Sequence, residues 1–250
     1  MIMTEKIDVK EINDQYIKLW NESGEEKGID KIPSLYPALK TDTLLFIGIN
    51  PSCPDSELKK KLRIINSDLT TEQFKQLSFS SIEDKREVIK DERDVAKGRY
   101  DDIDEPYQYF KPFEEISEKV DLDWEHIDVF RTIAKTQTEL KDILDISSGG
   151  KDERDEFVKK QIDIFKDLME KLEPKIIVVQ NALARDIIME EYGIDDENWN
   201  EEEGFHIIEL KKKEIPIFFS GMLSGQRALD LGSKKRLIWH IKKAKDWIEE

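Results

Sequence analysis

A nine-residue stretch decides the fold of this chain, and it reads Leu44-Leu45-Phe46-Ile47-Gly48-Ile49-Asn50-Pro51-Ser52. Its apolar first half is typical of a strand that is buried on both faces of a sheet. Pro51 and Ser52 end this strand, because proline has no N–H for the ladder and favours a turn. Asn50 is therefore predicted at the carboxyl end of a buried strand, where open α/β sheets bind their ligands. The alternative is an ordinary strand followed by an Asn-Pro turn.

The composition predicts a folded, soluble protein. The chain has 250 residues, of which 38% are hydrophobic and 38% charged, and its formal net charge is −16. Cys53 is the only cysteine, so an internal disulfide and a four-cysteine cluster are excluded, as is typical of a reducing compartment. The first ten residues do not resemble a signal peptide, and no apolar run approaches the roughly 20 residues that span a bilayer. We expect a cytoplasmic monomer that does not associate with membranes.

The charge of the chain is unevenly distributed. Residues 211–245 hold ten basic and two acidic side chains, so the acidic excess lies in the rest of the chain. Binding to nucleic-acid phosphates requires Lys and Arg, and the overall acidity argues against it unless this segment forms one surface. The alternative is a solvated lysine-rich helix face next to a charged turn. The positions of 211–213, Arg227 and 234–236 relative to Asn50 distinguish these two interpretations.

Strands and helices alternate along the chain. Apolar patterns predict strands at 44–49, 126–130, 176–179, 205–210 and 215–219, and helices near 9–22, 112–120, 158–172, 182–191 and 233–248. Ser233 is a candidate N-cap of the last helix. The charged region around 54–105 is predicted to be a helical insertion. The alternation predicts a three-layer α/β/α sandwich formed by one domain over 1–250. Its central sheet is expected to be mainly parallel, with about four strands, and the hairpin from 205–210 leads into the last of them.

Two motifs carry a resemblance to a known family. Gly48-Ile49-Asn50-Pro51-Ser52 differs only in its last residue from the Gly-Ile-Asn-Pro-Gly of the mismatch-directed branch of the uracil-DNA glycosylase superfamily. The second motif follows the last predicted strand and reads Phe219-Ser220-Gly221-Met222-Leu223-Ser224. It resembles the family's His-Pro-Ser-Pro-Leu-Ser or Asn-Pro-Ser-Gly-Leu-Ser, but Phe219 stands where the family has its catalytic His or Asn. The resemblance covers roughly residues 40–248.

The resemblance implies a uracil-DNA glycosylase-like fold and a base-removing activity on DNA that needs no metal or cofactor. Such an enzyme rotates the nucleotide out of the base stack before cutting its N-glycosidic bond. Asn50 would position the water. The residues implied to form the base pocket are Gly48, Ile49, Pro51, Ser52, Phe110 and Asn181. Phe110 would stack on the base, and Asn181 either reads a base edge or caps the following helix.

The loop after the last strand is the implied DNA-contacting segment. Its residues are Ser220, Gly221, Met222, Leu223, Ser224, Gly225, Gln226 and Arg227. Met222 and Leu223 have the apolar character of a wedge that fills the gap left by a flipped base, or they are buried in the core. Arg227 and the backbone amides around it suit a phosphate clamp, unless Arg227 pairs with Asp230. The three histidines form no metal-binding pattern.

Three classes of function remain open from the sequence. The first is a DNA glycosylase-like hydrolase that removes uracil or a related damaged or mismatched base. The second is a catalytically inactive member of the same fold that binds nucleic acid or a protein, as Phe219 and the net acidity favour. The third is an unrelated α/β enzyme that acts on a small phosphorylated ligand. It is disfavoured because no Gly-x-Gly-x-x-Gly follows any predicted strand.

Overall fold

A six-stranded sheet forms the centre of the computed structural model, which describes residues 5–24, 27, 29, 33–36, 38–51, 109–146, 150–225 and 227–249. In chain order, the strands are β1 (Lys6–Ile7), β2 (Leu39–Lys40), β3 (Leu44–Gly48), β4 (Trp124–Asp128), β5 (Ile176–Val179), β6 (Trp199–Asn200), β7 (Phe205–Leu210) and β8 (Lys213–Phe219). The helices are α1 (Lys10–Ser23), α2 (Lys111–Val120), α3 (Gln137–Leu144), α4 (Glu156–Leu172), α5 (Ala182–Tyr192) and α6 (Leu231–Glu249). The predicted insertion at 54–105 lies outside the described residues.

The sheet has the strand order β4-β3-β5-β8-β7-β6, and β1 pairs separately with β2. Strands β4, β3, β5 and β8 run parallel, whereas β7 and β6 are antiparallel to their neighbours. The prediction of a mainly parallel sheet is therefore confirmed, but about four strands is too few. The first arm of the hairpin joins the sheet as β7. The two-residue strand β6 then pairs with β7, and so short a strand leaves no apolar pattern in the sequence.

Helices cover both faces of this sheet, as a strand with apolar residues at every position requires. Because side chains alternate along a strand, Leu45 and Ile47 of β3 face one core, which is shared with α1, α4 and α5. Leu44 and Phe46 face a second core, which is shared with α2 and α6. This mixed α/β arrangement is compatible with the predicted sandwich.

The final helix begins two residues earlier than its predicted cap. Asp230 precedes α6, and its carboxylate accepts hydrogen bonds from the backbone N–H of Gly232 (2.8 Å) and of Ser233 (3.0 Å). The Ser233 hydroxyl also donates to this carboxylate, and these bonds lower the pKa of Asp230. Ser233 is thus inside the first turn, and its predicted role as the N-cap is wrong. Strand β4 also differs from its prediction, since it spans 124–128 rather than 126–130.

An ion-pair cluster anchors α5 to the segment before α4. Arg154 donates to Glu191 over 2.6 Å, and both side chains are 6% exposed. Lys151 and Lys166 lie 3.0 and 3.4 Å from the other oxygen of Glu191. Burial alone would raise the pKa of Glu191, but the hydrogen bond from Lys151 and the surrounding positive charges outweigh it, so the pKa is lowered. No helix in the described ranges is both long and apolar enough to span a membrane.

Candidate functional site

A cleft of about 940 Å³ opens at the carboxyl ends of the parallel strands. Gly48 at the end of β3, Asp128 at the end of β4, Gln180 just after β5 and Phe219 at the end of β8 all line it. The volume is within the roughly 300–1,000 Å³ that is typical of small-molecule sites. The chain passes from β3 to β4 on one side and then back across β3 to β5 on the other, and α/β sheets bind ligands beside such a reversal.

Asn50 lies at this cleft, half-buried, two residues beyond the end of β3. Its Nδ2 is 3.0 Å from the Pro51 carbonyl, 3.0 Å from the Ala134 carbonyl and 3.4 Å from the Thr132 carbonyl. These acceptors fix the amide with its nitrogen toward the backbone. Among the described residues, none donates a hydrogen bond to Oδ1. The cleft thus contains an oriented amide whose oxygen can accept a hydrogen bond from a bound molecule.

A buried carboxylate lies next to Gly48. Gly48 and Asp128 are directly paired residues of β3 and β4, and Asp128 is 4% exposed. A Cβ atom placed on Gly48 would be 2.3 Å from Asp128 Oδ1, so glycine is required for this close approach. On its other side, Asp128 Oδ2 is 3.4 Å from Nη1 of Arg131, whose guanidinium stacks over the Tyr36 ring at 4.0 Å. The buried guanidinium compensates the charge of the carboxylate.

Aromatic rings form one wall of the cleft. Phe110 is 9% exposed and precedes α2, and its ring packs edge-on against those of Tyr109 (5.0 Å) and His126 (5.4 Å). His126 Nε2 is 3.6 Å from Asp128 Oδ1. All four residues line the cleft. The structure therefore places the predicted Phe110 at the site and adds His126, to which the sequence assigned no role.

Two amide residues follow β5. The Asn181 side chain accepts hydrogen bonds from the backbone N–H of Leu183 (2.9 Å) and of Ala184 (3.2 Å), so its helix-capping role is confirmed. Its Nδ2 contacts the sulfur of Met222 at 4.0 Å, and Asn181 lines the cleft with its remaining surface. Gln180, which the sequence analysis missed, is 1% exposed and donates from Nε2 to the Tyr109 hydroxyl over 2.9 Å.

The loop after β8 contributes unevenly to the site. Leu223 is 4% exposed and belongs to the core shared by α2 and α6, so its predicted role as an intercalating wedge is wrong. Met222 is half-buried and lines the cleft. Phe219, the first residue of the second motif, also lines the cleft and packs edge-on against His206 at 5.3 Å. Burial lowers the pKa of His206.

The basic segment does not surround the cleft. Lys211 and Lys213 pair with Glu173 at the amino end of β8, the end opposite the cleft, and this pairing lowers the pKa of Glu173. Lys234 pairs with Glu115. Of the predicted basic group, only Arg227 lines the cleft. The other exposed cationic residues that line it are Lys135 and Arg185.

The cleft brings together most of the residues that the sequence singled out. The predicted residues that line it are Gly48, Ile49, Asn50, Pro51, Phe110, Asn181, Ser220, Gly221, Met222, Ser224, Gly225 and Arg227. Ser52 and Gln226 lie outside the described residues. Asp128 was missed because the strand was predicted over 126–130, which placed this residue in the middle of the strand rather than at its end. Gln180 is the first residue after β5, and because this strand was predicted with its observed bounds, that position was an available signal.

The comparisons assign no family to this chain. No protein-family model matches it, and no curated protein is similar to it in sequence. In the described part of the chain, no group of three or more His, Cys, Asp or Glu side chains is placed to hold a metal ion.

Proposed function

We propose that this protein is a DNA glycosylase-like hydrolase that removes uracil or a related damaged or mismatched base after flipping it into the cleft. The observation that carries the proposal is the position of Asn50. Its amide is held at the carboxyl end of a central strand, with Nδ2 bonded to backbone carbonyls and Oδ1 available in a cleft of about 940 Å³. The resemblance of Gly48-Ile49-Asn50-Pro51 to the first motif of the uracil-DNA glycosylase superfamily supports it.

The reaction breaks the C1′–N bond, and the electron pair of this bond leaves with the base. The sugar passes through a cation-like state that water attacks at C1′, as in other glycoside hydrolysis. Asn50 Oδ1 would accept a hydrogen bond from this water and orient it. Because a neutral amide cannot take up the proton, the proton passes to solvent, and slow turnover is expected.

The walls of the cleft suit an extruded nucleotide. The Phe110 ring offers an apolar surface beside the base, and Met222 is the remaining candidate for filling the gap in the stack. The exposed cations Lys135, Arg185 and Arg227 line the same cleft and would contact phosphates. Because the lysines of the hairpin lie at the opposite end of the sheet, they cannot contribute phosphate contacts at the cleft. At the cleft itself, the protein is therefore expected to bind nucleic acid weakly, and only through the phosphates next to it.

A catalytically inactive base-binding protein is the second candidate. Phe219 lines the cleft, and the resemblance aligns it with the family's catalytic His or Asn; a phenyl ring can neither donate a hydrogen bond nor carry charge. The same cleft would then bind nucleic acid without cutting it.

Uracil-containing oligonucleotides distinguish the two candidates. Single- and double-stranded substrates are incubated with the protein at low salt, and alkali-induced strand scission reports base removal. We expect Asn50→Ala to lower the rate about 100-fold or more, the scale of loss when a positioned catalytic group is removed. Asn200→Ala is the matched control, because this asparagine is the last residue of β6, at the far edge of the sheet, where it caps the turn that follows.

Each result has one meaning, provided circular dichroism shows both variants folded. Scission that Asn50→Ala leaves unchanged excludes the role of Asn50. For uracil as the target base, salt-sensitive binding without scission by the wild-type protein supports the inactive candidate, and the absence of both binding and scission excludes both candidates.

A further inference from the structure

The outer face of α6 combines cationic and apolar side chains. Its exposed residues recur at intervals of three or four positions, so they form one stripe on the side of the helix away from the core. We call five of them the α6 platform: Leu231, Lys235, Arg236, Trp239 and Lys242. Leu231 is 70% exposed and Trp239 is 55% exposed, which is unusual for side chains of this size. The platform therefore offers apolar surface and positive charge together.

Two lysines of the α6 platform are not neutralised by acidic side chains. Within the ranges that the structure describes, neither Lys235 nor Lys242 forms an ion pair. The three other lysines of the helix each lie within 4.0 Å of an acidic side chain. The stripe ends at the acidic Asp246, one turn beyond Lys242. In a chain with a net charge of −16, unpaired cations on one exposed face are complementary to an anionic ligand.

Trp239 lies between these two lysines. Because a helix rises about 1.5 Å per residue, Lys235 and Lys242 are about 10 Å apart along the axis, with the indole between them. The indole packs edge-on against the His240 ring at 4.8 Å, and Lys243 Nζ lies 5.1 Å from its centroid. These contacts hold the ring at the surface. An exposed aromatic ring flanked by cations is typical of surfaces on which unpaired bases stack while cations contact the backbone.

The α6 platform continues from the cleft. The loop after β8 lines the cleft as far as Arg227 and then leads directly into α6. The N–H of Leu229 donates to the Met222 carbonyl over 2.8 Å, which ties the end of this loop to its cleft-lining part. The first residue of the platform, Leu231, follows Arg227 by four positions. One bound strand can therefore contact both Arg227 and the platform.

We propose that the α6 platform binds the single-stranded nucleic acid that flanks the nucleotide in the cleft, with a base stacked on Trp239 and phosphates contacted by Lys235 and Lys242. This proposal rests on the proposed function, because it takes the ligand of the cleft to be part of a nucleic-acid strand. Bases in a duplex already stack on each other, so the platform selects single strands. Burial of Leu223 supports this selection, because that side chain cannot fill the gap that a flipped base leaves in a duplex.

Fluorescence anisotropy tests the stacking contact without requiring catalysis. The probes are a labelled single-stranded oligonucleotide that contains uracil and the same strand annealed to its complement. We expect the single strand to bind about tenfold more tightly. Trp239→Ala should weaken its binding about tenfold, the scale of loss when an aromatic ring that stacks on a base is removed, and should change duplex binding less. Trp239→Phe keeps an aromatic ring and should retain most of the affinity.

A pair of lysine variants tests the phosphate contacts. The double variant Lys235→Gln/Lys242→Gln should reduce the slope of log K against log salt concentration by about 1.4, since each contact with a single strand contributes about 0.7. The matched control, Lys18→Gln/Lys212→Gln, removes the same charge from exposed positions on α1 and in the hairpin turn. Because α1 covers the opposite face of the sheet from α6, the control should leave the slope unchanged.

Each outcome supports or overturns the α6 platform. Equal or tighter binding of the duplex overturns it, as does single-strand binding that Trp239→Ala leaves unchanged. If polyglutamate competes for the surface as well as a single strand of equal charge, the lysines belong to a site for an acidic protein, and the proposal is wrong. If the double variant and its control behave alike, the lysines form only a solvated helix face, and the phosphate contacts are excluded.

The α6 platform and the proposed function fail separately. Uracil release together with binding that the platform variants do not affect leaves the glycosylase function intact and overturns only the platform. Single-strand binding that depends on Trp239 without any base release supports the platform and excludes only the activity.

Discussion

Gly48→Ala should destabilise the protein, because the new methyl group collides with the carboxylate of Asp128. The new methyl group would lie 2.3 Å from Asp128 Oδ1 and 3.1 Å from His126 Nε2. A carbon and an oxygen in ordinary contact are more than 1 Å further apart than the first distance, so the carboxylate must move. Forced overpacking of this kind costs about 1–3 kcal/mol. If the movement also separated Asp128 from Arg131, the loss would approach the roughly 3–5 kcal/mol of a broken buried ion pair.

Urea unfolding followed by circular dichroism measures this loss as a lower midpoint at an unchanged m-value. In a thermal scan, each 1 kcal/mol corresponds to a decrease in Tm of about 2–4 °C for a chain of this size. Gly150→Ala is the control, because among the described residues its Cβ would meet only Glu190 Oε1, at 3.3 Å, a contact that a shift of a few tenths of an ångström relieves. That variant should stay within about 0.5 kcal/mol of the wild-type protein. If Gly48→Ala is equally stable, the carboxylate does not lie against Gly48.

Three further predictions concern the helix cap, the rim of the cleft and the ion-pair cluster. Asn181→Ala should lower the free energy of unfolding by about 0.5–2 kcal/mol, whereas Asn181→Ser should keep most of it, and urea titration that finds the two equal contradicts the capping role. Arg227→Gln should reduce the salt dependence of oligonucleotide binding by about one phosphate contact, and Lys212→Gln, in the hairpin turn far from the cleft, should not. Glu191→Gln should lower the free energy of unfolding by about 1.5–3 kcal/mol at pH 7. Because the folded-state pKa of Glu191 lies below its ordinary value of 4.5, this stabilisation is complete above pH 4.5 and is lost as the pH falls through the folded pKa. The gap in unfolding free energy between the variant and the wild-type protein should therefore narrow as the pH falls below 4.5, and a gap that stays constant down to the lowest pH at which the wild-type protein is folded refutes the assignment.

The sequence by itself determined the longer strands and all but one of the helices that the structure describes, in their order along the chain; the two-residue strands β1, β2 and β6 and the short helix α3 were not predicted. The apolar run at 44–48, the helical stripe ahead of Pro174 and the hairpin around 211–213 are local patterns, and local periodicity reports which faces are buried. The end of a buried strand at a proline also located Asn50 at the ligand-binding edge of the sheet.

The tertiary structure decided which side chains meet. The register that pairs Gly48 with Asp128 brings a carboxylate onto the floor of the cleft, and register depends on contacts between strands far apart in the chain. Burial of Leu223 beside the exposed Gly221 likewise depends on α2 and α6, which pack from elsewhere in the sequence. Composition showed a basic segment, but the hairpin carries its lysines to the amino end of β8, away from the cleft. The direction of a side chain at a turn depends on the elements that pack around the turn. The pattern of residues along the sequence therefore does not determine it.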